Sequence, residues 1–239
     1  MEEDSTNHKV NCLVCGEDLT YFDESEKIEC YYCKNSYNSN AKCLNGHYIC
    51  DNCHSLSAYE LIKEFCFNTK LEDPLEMACI IMRNPQVKMH GPEHHFMVPA
   101  VLLAAYYNKK GDYEEKKKKI VEASRRAKQV LGGFCGFWGT CGAGIGTGIF
   151  ISLITGSTPL KVKEWKQSIT MTSRSLKIIA EHGGPRCCKR VSFLAIKEAV
   201  KFLKENFNID LDINKEHKCE FNELNKECLK INCPYYEEK

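Results

Sequence analysis

The sequence predicts a mainly α-helical central domain, flanked by an N-terminal zinc-finger-like module of treble-clef or ribbon type and a C-terminal cysteine-rich metal knuckle. Three observations carry this expectation. Sixteen cysteines are spread unevenly over 239 residues, with seven in 12–53, three in 219–233 and four at Cys135, Cys141, Cys187 and Cys188. Between the two end clusters, apolar residues recur at helical spacing. Within that region the stretch 132–148, GGFCGFWGTCGAGIGTG, is dense in glycine and runs into the apolar segment 149–154. The expected divisions are 1–55, 56–210 and 211–239.

Charge and hydropathy narrow the function classes. The 33 basic and 32 acidic residues leave a net charge of +1, so no global field favours nucleic acid or a membrane surface. The chain opens Met-Glu-Glu-Asp without an apolar leader. Its longest apolar run is far short of the ~20 residues that span a bilayer. A cytoplasmic protein is expected, and in that setting metal or redox use explains sixteen cysteines better than disulfides do.

The N-terminal module follows from ligand spacing. Cys12-x2-Cys15 and Cys30-x2-Cys33 are knuckles separated by a stretch suited to a short hairpin, and Cys43-x3-His47-x2-Cys50-x2-Cys53 follows. Two thiolates two residues apart converge on one tetrahedral ion, and a second pair completes it. Eight ligands suffice for two closed zinc sites. Spacing leaves two pairings open: an interleaved cross-brace (12/15 with 43/47, 30/33 with 50/53) or sequential use. A segment this small needs metal to build a folded core.

From 56 onward the pattern is helical. Ser57 and Glu60 form a capping box for a helix to about Asn68, and Asp73-Pro74 starts another that turns Leu75, Met77, Ala78, Ile81 and Met82 inward. Cys66 and Cys79 read as small core residues. The block 89–96 carries His90, Glu93, His94 and His95 just before an apolar run. It is a candidate metal site or general acid/base set. An amphipathic helix over 111–130 directs Val121, Ala123 and Val130 inward and presents the lysine run 116–119 to solvent.

The glycine-rich stretch is not a nucleotide cradle, because no offset gives GxGxxG and no GK[ST] follows. Gly142/Gly146 and Gly144/Gly148 are i,i+4 pairs, each giving a helix face without side chains. A helix over 163–182 carries Trp165, Ile169, Leu176, Ile178 and Ile179 and stops at Gly183-Gly184. Then Arg186-Cys187-Cys188-Lys189-Arg190 opens a helix over 191–207. A cysteine at a helix N-terminus among three cations is expected to ionise near neutral pH. In the tail, His217, Cys219, Cys228 and Cys233-Pro234 match one tetrahedral site or a small iron–sulfur cluster.

Two resemblances bear on function. The string Cys43-x3-His47-x2-Cys50-x2-Cys53 resembles the second half of a RING or related treble-clef finger, which implies a fold. At 139–156, GTCGAGIGTGIFISLITG resembles the core of small helical proteins with a C…GCAxxG…C…C pattern, described as redox-active. Gly139, Cys141, Gly142, Ala143 and Gly146 match, with Cys187/Cys188 standing for the downstream cysteines. The whole layout, with GPEHHF, GFWGTCGAG, GGPRCCKR and the terminal CPYY, resembles an uncharacterised cysteine-rich family.

The resulting expectation is a metal-binding protein, with two or three zinc ions and an iron–sulfur cluster as a further cofactor, performing redox or sulfur-handling chemistry. Cys135, Cys141, Cys187, Cys188, His90, His94 and His95 would be catalytic. Arg186, Lys189 and Arg190 would hold an anionic substrate or stabilise thiolate, Glu93 would also contact substrate, and the partner would be a redox protein or small molecule. The rival expectation is a non-catalytic zinc-finger interaction module on a helical scaffold.

Overall fold

The computed structural model describes residues 12–54, 56–214 and 216–238. Residues 1–11, on which the absence of an apolar leader was read, and Ser55, the end of the expected N-terminal module, lie outside the described residues.

Strands β1 (Leu19–Glu29) and β2 (Ser36–Cys43) pair antiparallel, with Leu19 opposite Cys43 and Glu29 opposite Ser36. A bulge between Tyr21 and Glu26 interrupts the register. Each CxxC knuckle is closed by backbone bonds, from Gly16 N to Cys12 O at 2.8 Å and from Lys34 N to Cys30 O at 2.9 Å. In both, the residue after the second cysteine takes a left-handed conformation, with φ of 83° at Gly16 and 63° at Lys34. The short helix α1 (Asp51–His54) ends the module.

The helices follow as local sequence predicts. Helix α2 (Ala58–Asn68) starts at the Ser57/Glu60 capping box, and α3 (Pro74–Arg83) starts with Asp73 accepting from Leu75 N and Glu76 N. Helix α4 (Glu93–Lys110) is buried on every side from Phe96 to Asn108, as a helix apolar all round must be. Around it stand α2, α3, α5 (Tyr113–Ala127), α7 (Gly142–Thr155) and α9 (Cys188–Phe207). The short α6 (Phe134–Phe137) lies in the loop before α7, and α8 (Val162–Glu181) packs outside on α7 and α9.

The alternating glycines explain how α7 fits between two neighbours. A Cβ at Gly146 would lie 2.8 Å from Pro99 Cδ and 3.2 Å from His95 O, both on α4. One at Gly144 or Gly148 would meet Leu176 or Thr172 of α8. Thus one i,i+4 pair faces α4 and the other faces α8. Beside Gly146, Pro99 removes the N–H that would otherwise bond to His95 O, and at Gly142 a Cβ would strike the His95 ring.

Three expectations about faces are corrected. Lys116 is not solvated: it is 1% exposed and donates to Thr69 O at 2.9 Å and Asn108 Oδ1 at 2.8 Å. Val121 points outward at 53% exposure. On α8, Trp165 and Ile169 are half exposed, whereas Met171 and Ser175 are buried. A helix laid against glycine is held by close approach, so its inward residues are small or slender, and Ser175 Oγ meets Thr147 Oγ1 at 2.9 Å.

The N-terminal module and the tail meet at Arg83 of α3. Tyr32 of the N-terminal module is fully buried edge-on against Phe65 of α2, with centroids 5.7 Å apart. Arg83 grips Glu220 of the tail through Nε at 2.9 Å and Nη2 at 2.7 Å, and donates from Nη1 to Val14 O. No helix among the described residues is long and apolar enough to cross a membrane.

Candidate metal centres and thiol pocket

The hairpin decides the ligand pairing that spacing left open. Its free end brings Cys43 to Cys12 and Cys15, and its connecting turn carries Cys30 and Cys33 to Cys50 and Cys53. Two groups result, Cys12/Cys15/Cys43/His47 and Cys30/Cys33/Cys50/Cys53, with all ligand atoms of each within 4.8 Å of one another. The pairing is interleaved. Representative separations are 3.8 Å for Cys15 Sγ–Cys43 Sγ, 4.0 Å for Cys33 Sγ–Cys50 Sγ and 3.3 Å for Cys15 Sγ–His47 Nδ1. A tetrahedral ion about 2.3 Å from each sulfur sets sulfurs roughly 3.7 Å apart, so both groups can hold a metal ion. Backbone N–H groups already point at the sulfurs, from Val14 to Cys12 at 3.4 Å, His47 to Cys43 at 3.2 Å and Cys50 to Cys30 at 3.4 Å.

In the helical region a cavity of about 610 Å³ opens where α4, α7 and α9 begin. His94 and His95 come from α4, Cys135 from α6, Cys141 from the N-cap of α7, and Cys187 and Cys188 from the start of α9. Arg186 and Arg190 also line it, and Leu176, Ile179 and Val191 give it an apolar wall. Sequence spacing had placed these groups in three separate motifs; the fold brings them together.

Carbonyls fix the histidine tautomers. His94 Nδ1–H donates to Gly91 O at 3.1 Å and His95 Nδ1–H to Val130 O at 2.9 Å. Nε2 is then the lone-pair atom on each ring. His94 Nε2 is buried and has no partner among the described residues. Burial first, and then the charge of Lys189, hold His94 neutral by pushing its pKa well below the ordinary value.

The expected thiolate at α9 is corrected. Burial pushes Cys188 up to about 11, against the weaker opposing pull of the Gly91 N–H, while the nearby Cys141 adds to the rise. Burial likewise raises Cys187 and Cys141 despite their positions at helix N-termini. The cations are turned to other work. Lys189, 1% exposed, donates to Lys88 O at 3.1 Å and Val87 O at 3.3 Å, and burial draws it down to about 8. Arg190 Nη2 donates to Gly183 O at 2.7 Å and Pro185 O at 2.8 Å.

Other expected site residues lie elsewhere. His90 Nε2 reaches Asn225 Oδ1 of the tail at 3.2 Å and does not line the cavity. Glu93 is folded back over Gly91, where a Cβ would strike its carboxylate, and accepts from Lys88 N at 2.9 Å. Neither it nor Lys189 faces the pocket. His217 packs edge-on against Phe193, with centroids 4.4 Å apart, and its Nε2 lies 3.6 Å from Cys79 Sγ. Cys219, Cys228 and Cys233 instead surround a small cavity together with Cys187. The Cys79–His217 contact has no signal in sequence, since 138 residues separate the two.

Fold and site define a cysteine-rich, mainly helical protein with two residue groups able to hold metal ions. Residues 62–236 match the model of DUF5714, a family of unknown function, and the chain belongs to that family. No curated protein and no solved structure matches the chain. The family match takes in the helical region and the tail but stops short of both N-terminal ligand groups.

Proposed function

We propose that the two N-terminal groups hold zinc in a cross-braced, treble-clef-like finger, and that the pocket performs thiol–disulfide exchange. The carrying observation is the convergence of Cys141, Cys188 and the lone-pair nitrogens of His94 and His95 at one cavity. In the exchange, one cysteine sulfur attacks a substrate disulfide, breaking its S–S bond and releasing one thiol. The second cysteine resolves the mixed disulfide and releases the other. Two protein thiols become a disulfide, the substrate disulfide becomes two thiols, and a histidine Nε2 relays the protons. Neutral thiols are slow nucleophiles, so the rate should climb as pH rises toward about 11, where Cys188 ionises.

The test incubates full-length protein in glutathione redox buffers and maps disulfides by peptide mass spectrometry. Reversible Cys141–Cys188 linkage, abolished by Cys141→Ser or Cys188→Ser, is expected. If both cysteines stay reduced under oxidised glutathione in natively folded protein, the reading is overturned.

A second reading, a zinc-finger interaction module on a helical scaffold, is favoured by the exposed apolar residues Leu160, just before α8, and Val162, Trp165 and Ile169 along one flank of it. In that case the cysteine pair is inert in the same buffers, and anaerobically purified protein carries zinc alone.

A further inference from the structure

The cavity behind the pocket has the chemistry of a third metal site. Cys219, Cys228 and Cys233 reach it from the tail and Cys187 from the start of α9. The tail is folded to make this possible. Cys219 N donates to Tyr235 O at 2.7 Å, which draws the two ends of the tail together, and Cys233 N donates to Lys230 O at 2.7 Å.

Three of the four sulfurs accept a backbone N–H. Phe221 N reaches Cys219 Sγ, Lys230 N reaches Cys228 Sγ and Arg190 N reaches Cys187 Sγ, each at 3.4 Å. The first two are i+2 to i contacts, the same as Val14 N to Cys12 Sγ in the N-terminal group. Such donors stabilise a sulfur that carries negative charge far more than a neutral thiol. The enclosed volume is about 20 Å³, enough for one ion-sized guest.

Charge points the same way. Arg190 is 3% exposed and lines this cavity, and its Nε is buried without a hydrogen-bond partner among the described residues. Its terminal nitrogens bond to carbonyl oxygens rather than to a carboxylate. A buried cation without a counter-charge is strongly unfavourable. Four thiolates around a divalent ion, or around an iron–sulfur cluster, carry a net negative charge that would meet it.

We infer that Cys187, Cys219, Cys228 and Cys233 form a tetrathiolate metal centre, with Cys187 taking the place that tail spacing suggests for His217. The centre abuts the thiol pocket, because Cys187 and Arg190 line both cavities. It does not depend on the exchange reaction proposed above. Among the described residues only the two N-terminal groups have three or more ligand atoms within 4.8 Å of one another, so these four sulfurs must draw together around the guest, a thiophilic metal held as a single zinc ion or, with a wider opening, as an iron–sulfur cluster.

The test is metal and sulfide analysis of full-length protein expressed and purified without oxygen, for wild type, Cys187→Ser, Cys228→Ser and His217→Ala. A metal content above that of the two N-terminal groups is expected in wild type and His217→Ala. Both serine variants should lose the excess while keeping the N-terminal zinc and a native helical circular dichroism spectrum. Iron with matching acid-labile sulfide assigns a cluster; zinc without sulfide assigns a single ion. Reconstitution of the zinc form with cobalt(II) checks the ligand count, since thiolate-to-cobalt absorption should weaken in both serine variants. Wild type with no excess metal, or a Cys187→Ser variant that retains it, overturns the inference. So does loss of the excess in His217→Ala with the fold intact. Failure of Cys141–Cys188 exchange, by contrast, leaves the centre untouched.

Discussion

Gly146→Ala tests whether the glycines of α7 exist for close packing. On an exposed helix the change would stabilise by about 1 kcal/mol, since glycine is the poorer helix former. Here the new Cβ would stand 2.8 Å from Pro99 Cδ, 3.2 Å from His95 O and 3.4 Å from Val98 Cβ. A proline ring inside a helix and a backbone carbonyl cannot rotate aside, so α7 and α4 must separate. Overpacking of this kind costs about 1–3 kcal/mol, leaving a net loss of up to about 2 kcal/mol after the helix-propensity gain. For a chain of this size that lowers the melting midpoint by up to roughly 8 °C. Gly144→Ala is the control, because its Cβ meets the mobile end of Leu176 at 2.8 Å and rotation there can absorb it. The assay is thermal denaturation of metal-replete protein followed by circular dichroism. A Gly146→Ala protein that melts at or above wild type, or a Gly144→Ala protein that loses as much, refutes the reasoning.

Two further outcomes follow from the same structure. Cys50→Ser should release the metal held with Cys30, Cys33 and Cys53 while sparing the Cys12/Cys15/Cys43/His47 group, and should loosen the docking of Tyr32 on Phe65. Several kcal/mol are at stake, given ~10–16 kcal/mol for zinc in finger peptides, and unchanged metal content with an unchanged melt would exclude it. Lys116 makes stability rise with pH: burial lowers it from 10.5 to about 8, so between those values the unfolded chain holds a proton that the folded chain does not. Below pH 8 both states are protonated and the penalty is complete. Relative to Lys116→Met, wild type should gain up to about 3 kcal/mol across that window, read by urea denaturation at several pH values, and a constant difference would disprove it.

Local features of this fold are legible because local chemistry decides them. The Ser57/Glu60 box, the Asp73-Pro74 start and the CxxC knuckles each act within a few residues. The pairing of the knuckles is not local, since it depends on the hairpin that carries Cys43 back to Cys12. Lys116 was readable in principle: with Ile120, Ala123 and Ala127 it forms one stripe at helical spacing, and all four are buried. Four consecutive lysines conceal that stripe. On α8 the rule that large residues turn inward fails because its partner surface is glycine, which admits backbone rather than side chains. For the pocket, sequence identifies the cysteines and His94/His95 but not that Glu93 and Lys189 turn away from it. Nor does it supply the burial that decides the protonation of Cys188.

That protonation ties the two halves of the site together. Three helix N-termini, Arg186 and Arg190 all place positive charge at the mouth of the pocket, yet burial keeps Cys141, Cys187 and Cys188 neutral. Positive charge therefore accumulates there without an equal negative charge from the protein. The negative charge of Glu93 favours the protonated form of Lys189, so it offsets that lysine rather than Arg190. A metal centre at Cys187 would balance Arg190 from the tail side and would withdraw the Cys187 sulfur from the pocket. Cys141 and Cys188 would then be the buried thiols left to react. Loading the tail site should accordingly leave the Cys141–Cys188 linkage intact as the product of oxidation. Stripping the metal should allow Cys187 to compete for Cys188, so mixed Cys187 linkages appearing only in metal-free protein would mark the order in which the site is assembled.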